Sequence, residues 1–325
     1  MTGTNQVLVC GGAGFVGVNL VRVLLSRGTR VCVADNFSRG SRANLREFEA
    51  DPRFSVCEVD LADPSQVSDL VGQLSKSRPL DEVWHLAANS DIPAGIANPN
   101  IDLKDTFLTT VSLVNALRSV GTRKVYFASS SAIYGDLGDI ELREHTGPLL
   151  PISNYGAMKL ASEAFLSAAA ESHLEQVMIF RFPNVVGVPA THGVLLDFAR
   201  KLRKDRSHLE VLGNGTQRKG YLHVSDLVTA MLHLHDTVTE KRAVFNIGAV
   251  DAGVSVRQIA EGMVALVAPD ARLEFGNSNR GWVGDVPKFH YSVDKLLATG
   301  WRPVLDSQSA MTRAMHEVAR QEGLL

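Results

Sequence analysis

The stretch Val7–Gly17, "VLVCGGAGFVG", sets a short apolar run directly against glycines at 11, 12, 14 and 17, with a helix-length amphipathic segment following. A strand feeding a glycine turn and then a helix is a βα unit. Its turn can receive a phosphate, because residues without side chains let the backbone approach and the helix N-terminus offers unpaired N–H groups with partial positive charge. The spacing of Gly11, Gly14 and Gly17 is G-x-x-G-x-x-G, one residue away from G-x-G-x-x-G, and Gly12 adds a further glycine. The strand–turn–helix context raises it above a bare pattern. The alternative for the same residues is a tight turn that binds nothing.

The rhythm continues outward. Apolar, β-branched runs recur at 6–10, 30–35, 53–60, 81–88, 123–130 and 176–182, and helical patterns fall near 14–27, 64–75, 103–120 and 154–172. Alternating strands and helices predict parallel strands joined by right-handed crossovers. The fold class expected is α/β, a doubly wound parallel sheet of Rossmann type with a smaller C-terminal substrate subdomain. Beyond residue 181 Gly, Asn and Pro interrupt the pattern. The expected division is a dinucleotide-binding domain over 1–181, with 216–248 returning to it, and a substrate-binding subdomain over 182–215 and 249–325.

Composition limits the function. With 33 basic and 35 acidic residues and a net charge of -2, the chain has no global attraction for nucleic acid or an anionic membrane. The basic run 199–208 is at helical spacing with Leu202 on the other face, as on a solvated helix. Cys10, Cys32 and Cys57 lie in apolar runs without metal-type spacing, which predicts reduced thiols and no metal site. No apolar stretch reaches bilayer length and the first residues lack a basic leader, so a soluble cytoplasmic protein with a small ligand is expected.

The second strand ends "VADNFSRG" (33–40), placing Asp35 about twenty residues beyond the glycines. A carboxylate there accepts hydrogen bonds from the adenosine ribose and repels a 2′-phosphate, which favours NAD over NADP; Arg39 and Arg42 nearby could soften that repulsion. Asp60 ends the third strand at the same edge and is a weaker adenine contact. Within "SNYGAMKLASEAF" (153–165), Tyr155 and Lys159 are four apart and share a helix face. A cation beside a phenol lowers its proton affinity toward the range of a general base. Y-x-x-x-K alone is common; "YFASSSAIYG" (126–135) gives it weight, because it puts hydroxyls at the carboxyl edge of the sheet.

Together, "GGAGFVG", "DNFS", "HLAA", "SSSAIYG", "YGAMK", "RFPNVVG", "GNGTQRKGYLHVSD", "FNIG" and "GWRP" occur in order across nearly the whole chain. The sequence resembles the extended short-chain dehydrogenase/reductase family, in its nucleotide-sugar epimerase and dehydratase branch typified by UDP-glucose 4-epimerase. The resemblance implies NAD as cofactor, with Ser130, Tyr155 and Lys159 as the catalytic set. The cofactor contacts it implies are Gly11, Gly14, Phe15, Val16, Gly17, Asp35, Asn36, Ser38, Asp60, Leu61, Leu86, Ala87 and Ala88, together with Tyr155 and Lys159. Toward the substrate it implies Ser130, Ser131, Asn184, Lys219, Arg218, Arg280 and Trp282.

In the dehydratases of that branch an acid pair follows the Ser or Thr; here Ser131 and Ala132 stand in those places, which favours an epimerase. The activity expected is 4-epimerisation of a UDP-hexose, with a dehydratase or net oxidoreductase on the same substrates, or a non-catalytic dinucleotide-binding regulator, as alternatives. A homodimer paired through helices near 103–120 and 154–172 is expected on the same ground. Three positions depart from the branch: Lys219 and Trp282 replace arginines, and Asp105 stands for an asparagine. His85 and His223 are expected to be structural, while His192, Asn89, Ser90 and Asp91 are possible substrate contacts.

Overall fold

The computed structural model describes residues 5–138, 140–278 and 290–325. They form two compact units. The first holds Met1–Ile133, Leu150–Arg181 and Thr237–Phe245; the second holds Tyr134–Leu149, Phe182–Asp236 and Asn246–Leu325. Of the segment 216–248, residues 237–245 thus lie in the first unit and the remainder in the second.

The first unit is built on seven strands, β1 (Gln6–Cys10), β2 (Arg30–Asp35), β3 (Phe54–Glu58), β4 (Glu82–His85), β5 (Lys124–Ser130), β6 (Gln176–Phe182) and β7 (Arg242–Asn246). Their order is β7-β6-β5-β4-β1-β2-β3. The β1–β2, β1–β4, β2–β3 and β4–β5 pairings are parallel. Runs that are apolar at successive positions suit strands covered on both faces. One face packs Leu8, Val83, Val125, Phe127 and Ile179 against helix side chains such as Leu113 and Leu166. On β4, β5 and β6, Trp84 stacks on Tyr126 at 4.5 Å and on Phe180 at 6.0 Å. The strand order turns back at β1 and β4. Carboxyl ends of strands diverge at such a switch point, leaving a crevice where ligands bind. Register brings Cys10 level with His85 and with Ala34, so the residues that follow β1, β2 and β4 emerge together at that edge.

Some of the helices begin where the sequence supplies side-chain caps. In α1 (Phe15–Ser26) the capping position is Gly14, which makes no side-chain cap. In α2 (Pro64–Ser77) the Asp63 carboxylate accepts from Ser65 N and Gln66 N, with Pro64 in the first turn. The helix expected over 103–120 starts earlier, at Pro99 under an Asn98 cap, and widens into a π turn over Leu103–Leu108 before α3 (Thr109–Leu117). The widened turn leaves the Thr106 carbonyl to hydroxyls: Thr109 Oγ1 donates to it at 2.9 Å and Thr110 Oγ1 at 3.3 Å. In α4 (Asn154–Ser172), Ser153 accepts from Gly156 N at 3.1 Å. A short helix at Ile92–Ala97 and a 3-10 segment at Arg42–Phe48 were not expected.

The second unit gathers helices Val194–Lys204, Val256–Val267 and Ser307–Gln321 around an apolar cluster that includes Phe198, Leu202, Ile259, Met263 and Ala314. Two parallel strand pairs accompany them, His208–Val211 with Arg272–Phe275 and Asn184–Val186 with Tyr221–His223. In the basic run, Leu202 faces inward, while Lys201 pairs with Asp197 at 2.9 Å and Arg203 with Glu322 at 2.8 Å. Among the described residues no helix is long and apolar enough to cross a membrane.

Candidate active site

At the end of β1 the chain turns through Gly11 at φ 78°, a left-handed conformation that a side chain would strain. A Cβ on Gly11 would lie 2.7 Å from Ala87 N, and one on Gly17 2.3 Å from Gly11 O, so the turn, α1 and the loop after β4 meet backbone to backbone. Gly14 leaves the first N–H groups of α1 without a side-chain cap, an arrangement that suits an anionic group.

Asp35, 7% exposed, stands beside this turn. Its Oδ2 accepts from Ala13 N at 2.9 Å and its Oδ1 from Phe37 N at 2.8 Å. Burial raises its proton affinity, and the two backbone donors oppose that. Each carboxylate oxygen keeps a lone pair for a further donor. The two arginines suspected of offsetting this charge are engaged elsewhere. Arg39 pairs with Asp91 at 2.8 Å and with Asn89 Oδ1 at 3.1 Å, while Arg42 pairs with Glu58 and lies 4.4 Å over the Phe37 ring. Asp60 takes Lys104 at 2.8 Å and caps Ala62 N. Leu61 is buried, whereas Asn36 and Ser38 are exposed and Phe15, Val16, Leu86, Ala87 and Ala88 are partly open.

The second cluster forms at the carboxyl end of β5. Gly156 makes it possible, since a Cβ there would fall 2.5 Å from Ala132 O; without one, the first turn of α4 lies directly on the turn that follows Ser130. Ser130 lies close enough to the Tyr155 phenol to lower its proton affinity, and its Oγ accepts from Ala132 N at 3.2 Å. Beneath them Lys159, 2% exposed, donates to Ala128 O at 2.6 Å and lies 4.7 Å from the Phe127 ring and 5.9 Å from the Tyr155 ring. The structure therefore brings Ser130, Tyr155 and Lys159 together.

The sequence of residues 7–248 matches the model of the NAD dependent epimerase/dehydratase family. The chain belongs to that family. Its fold is that of a crystal structure of UDP-galactose 4-epimerase, with a TM-score of 0.83 and 33% identity over 97% of this chain and 99% of the other. It is equally similar to the UDP-glucose 4-epimerase of Thermus thermophilus in complex with NAD, with a TM-score of 0.82 and 30% identity over 96% and 98%. A UDP-glucuronic acid decarboxylase 1 from Xenopus tropicalis is 26% identical over 96% of this chain and 71% of its own length. The protein is thus an enzyme of the epimerase/dehydratase family with NAD as cofactor. Its residues fit that group: a glycine turn closed to any Cβ, an uncapped helix start, and a buried carboxylate with spare acceptors.

One expectation is corrected in this epimerase/dehydratase site. The neighbouring ammonium was expected to lower the Tyr155 phenol. Instead burial pushes it up to about 12, against the lowering effect of Ser130, and a buried carboxylate, Asp102, adds to the rise. Burial also takes Lys159 down to about 7, although Glu163 works the other way. Desolvation outweighs the effect of Ser130 on the phenol and that of Glu163 on the ammonium. Asn89 is corrected too. It is 2% exposed, its Nδ2 donates to Asp102 Oδ1 at 2.8 Å, and its N donates to Thr106 Oγ1 at 3.1 Å, so it faces inward rather than toward a ligand. Thr106, not Asp105, is the residue of that turn buried against Asn89. His223 is held by Glu317 and Ser225, a structural role. His85 is bonded through Nε2 to Thr110 at 3.0 Å, with Nδ1 buried and without a partner, and burial lowers it to about 3.

Sequence reasoning missed the support beneath the cluster. Glu163, one turn beyond Lys159, is buried and receives Arg181 Nη2 at 2.7 Å, Arg181 Nε at 3.0 Å, and the Ser129 hydroxyl. The arginine inside the apolar run "QVMIFRF" was the available signal. Ser131 is partly open in the turn after β5. In the second unit, Asn184 Nδ2 donates to Gly220 O at 3.4 Å; Arg218 donates to Gly253 O at 2.6 Å; Lys219 is partly buried on a strand beside Val254. His192 contacts Thr191 Oγ1. Arg280 and Trp282 lie outside the described residues.

Two outcomes follow from these geometries. Asp35→Ala should weaken NAD binding about tenfold or more, since charged hydrogen bonds are each worth roughly 1.5–3 kcal/mol; calorimetric titration with NAD checks the loss. Lys159 makes stability depend on pH. Its ammonium titrates at about 7 in the fold against 10.5 ordinarily, so the unfolded chain holds the extra proton within that window. Stability therefore rises with pH from about 7 toward 10.5 and is lost as pH falls. Tyr155, held above its ordinary 10.0, acts in the opposite sense only above that pH. Urea midpoints at pH 7 and pH 9.5 should rise for the wild type and stay flatter for Lys159→Met.

Proposed function

We propose that the chain is an NAD-dependent nucleotide-sugar epimerase acting at C4 of a UDP-hexose. The observation that carries this is the Ser130 side chain set against the Tyr155 phenol, with buried Lys159 5.9 Å from its ring, beside residues 131 and 132, which carry no carboxylate. The similarity to UDP-galactose and UDP-glucose 4-epimerases supports it. Bound NAD would supply reversible hydride transfer at a sugar carbon, the hydride returning to the opposite face.

The protein handles the proton and the oxygen. Tyr155 Oη takes the hydroxyl proton and returns it once the sugar has turned, which leaves the protein unchanged. Ser130 donates to the oxygen that gains charge. The Ser130 side chain favours the phenolate, opposing the burial that holds its proton. Water elimination would need an acid and a base next to Ser130, and Ala132 can supply neither. In this proposal the second unit binds the nucleotide, with Asn184, Arg218, Arg280 and Trp282 around it and Lys219 meeting a phosphate as a point charge rather than a fork. Leu103 at 40% and Leu108 at 37% exposure offer outward apolar side chains to a second copy, consistent with a homodimer, which sedimentation would detect.

A second reading, a lyase or net oxidoreductase on the same substrates, is favoured by the decarboxylase relative. Incubation with UDP-, dTDP-, CDP- and GDP-sugars, read by NMR, separates them. Inversion at one carbon without added cofactor is expected; release of carbon dioxide or water, or accumulating reduced cofactor, would overturn the epimerase.

A further inference from the structure

We propose that Cys32 and Cys57 are a redox modification site, closing a reversible disulfide between β2 and β3 that loosens bound NAD. Their sulfurs are 3.9 Å apart. In the β2–β3 register Cys32 is level with Ser55 and Ala34 with Cys57, so the two cysteines are two positions apart along adjacent strands and point to one face. β3 ends the sheet. Cys32 is 2% exposed and Cys57 partly open, which makes Cys57 the point of entry. The contact between the two sulfurs, in which either can donate, lowers the Cys57 thiol to about 7 against the effect of burial. A thiolate is the attacking species, so Cys57 is armed near neutral pH. Cys10, fully buried, is pushed up by burial and stays inert.

The oxidant is a small disulfide, RSSR. The Cys57 thiolate attacks one of its sulfurs, the S–S bond breaks, and RS⁻ leaves and takes a proton. Cys32 then releases its proton and attacks the Cys57 sulfur of the mixed disulfide, and a second RSH leaves. Two thiols lose two electrons and two protons, and RSSR becomes two RSH. Shortening 3.9 Å to the bonded distance of about 2.05 Å draws in β3, which has one neighbour, rather than β2, which has two. Glu58, next to Cys57, is level with Asp35 and holds Arg42. The displacement therefore reaches the edge where Asp35 meets the glycine turn.

The test treats the NAD-loaded protein with oxidised glutathione at pH 8, followed by peptide mapping under non-reducing conditions and measurement of NAD release. Two of three thiols should disappear into one linked pair, Cys32 with Cys57; NAD should leave at least threefold faster, and dithiothreitol should reverse both. Cys32→Ala should stop at a stable mixed disulfide on Cys57, and Cys57→Ser should leave Cys32 unmodified. A wild-type chain that halts at the mixed disulfide or stays unmodified, or a linked chain that keeps NAD as the reduced one does, overturns the proposal.

Discussion

Tyr155→Phe should cut turnover of a UDP-hexose by about 10²–10⁴-fold, the usual worth of one positioned proton-transfer group, while the protein stays folded and keeps its NAD. Phenylalanine preserves the ring that lies 5.9 Å from Lys159 Nζ, so packing against the lysine survives. What it removes is Oη, the group whose proton affinity Ser130 lowers. Progress curves by NMR, together with the NAD content of the purified variant, separate lost chemistry from lost binding. A variant retaining a tenth or more of the wild-type rate would show that another group moves the proton.

The second large effect concerns the fold beneath that site. Arg181 and Glu163 are each 6% exposed in their side chains. Arg181→Met would strand the Glu163 carboxylate in the interior without its guanidinium, leaving the Ser129 hydroxyl as its hydrogen-bond donor among the described residues. Breaking a buried pair on one side costs about 3–5 kcal/mol, whereas replacing both partners with apolar groups is often neutral. Urea unfolding should show that loss for Arg181→Met and recovery of most of it in Arg181→Met/Glu163→Leu. The double variant is also informative about activity, because it keeps the packing while removing the charge beside Lys159.

The dinucleotide half of the molecule was legible because its signals are local. The six strand runs coincide with β1 to β6, within one or two residues at most ends, since a strand buried on both faces shows itself as an uninterrupted apolar run. The glycine turn and Asp35 are adjacent to those strands in sequence. The Tyr155 and Lys159 pair was legible through helical spacing, but its proton affinities were not: spacing reports neighbours, while desolvation depends on everything else that closes over them. The widened turn at Leu103–Leu108 and the Glu163–Arg181–Ser129 set had no comparable signature, as the latter joins positions 18 and 34 residues apart. Asn89, in a loop rich in polar residues, looked available to a ligand because burial of a loop side chain is decided by distant partners such as Asp102 and Thr106.

The Asp35 carboxylate has a consequence for anyone retargeting this enzyme to a phosphorylated dinucleotide. Its Oδ2 already anchors the amide of Ala13 inside the glycine loop. Swapping the acid for a neutral or basic residue would orphan that amide in a buried place, so cofactor preference and loop integrity are inherited as one trait. Successful conversion should require a paired change that restores an acceptor for Ala13 alongside the new cation, and single-site libraries at position 35 should yield unstable loops before they yield altered preference.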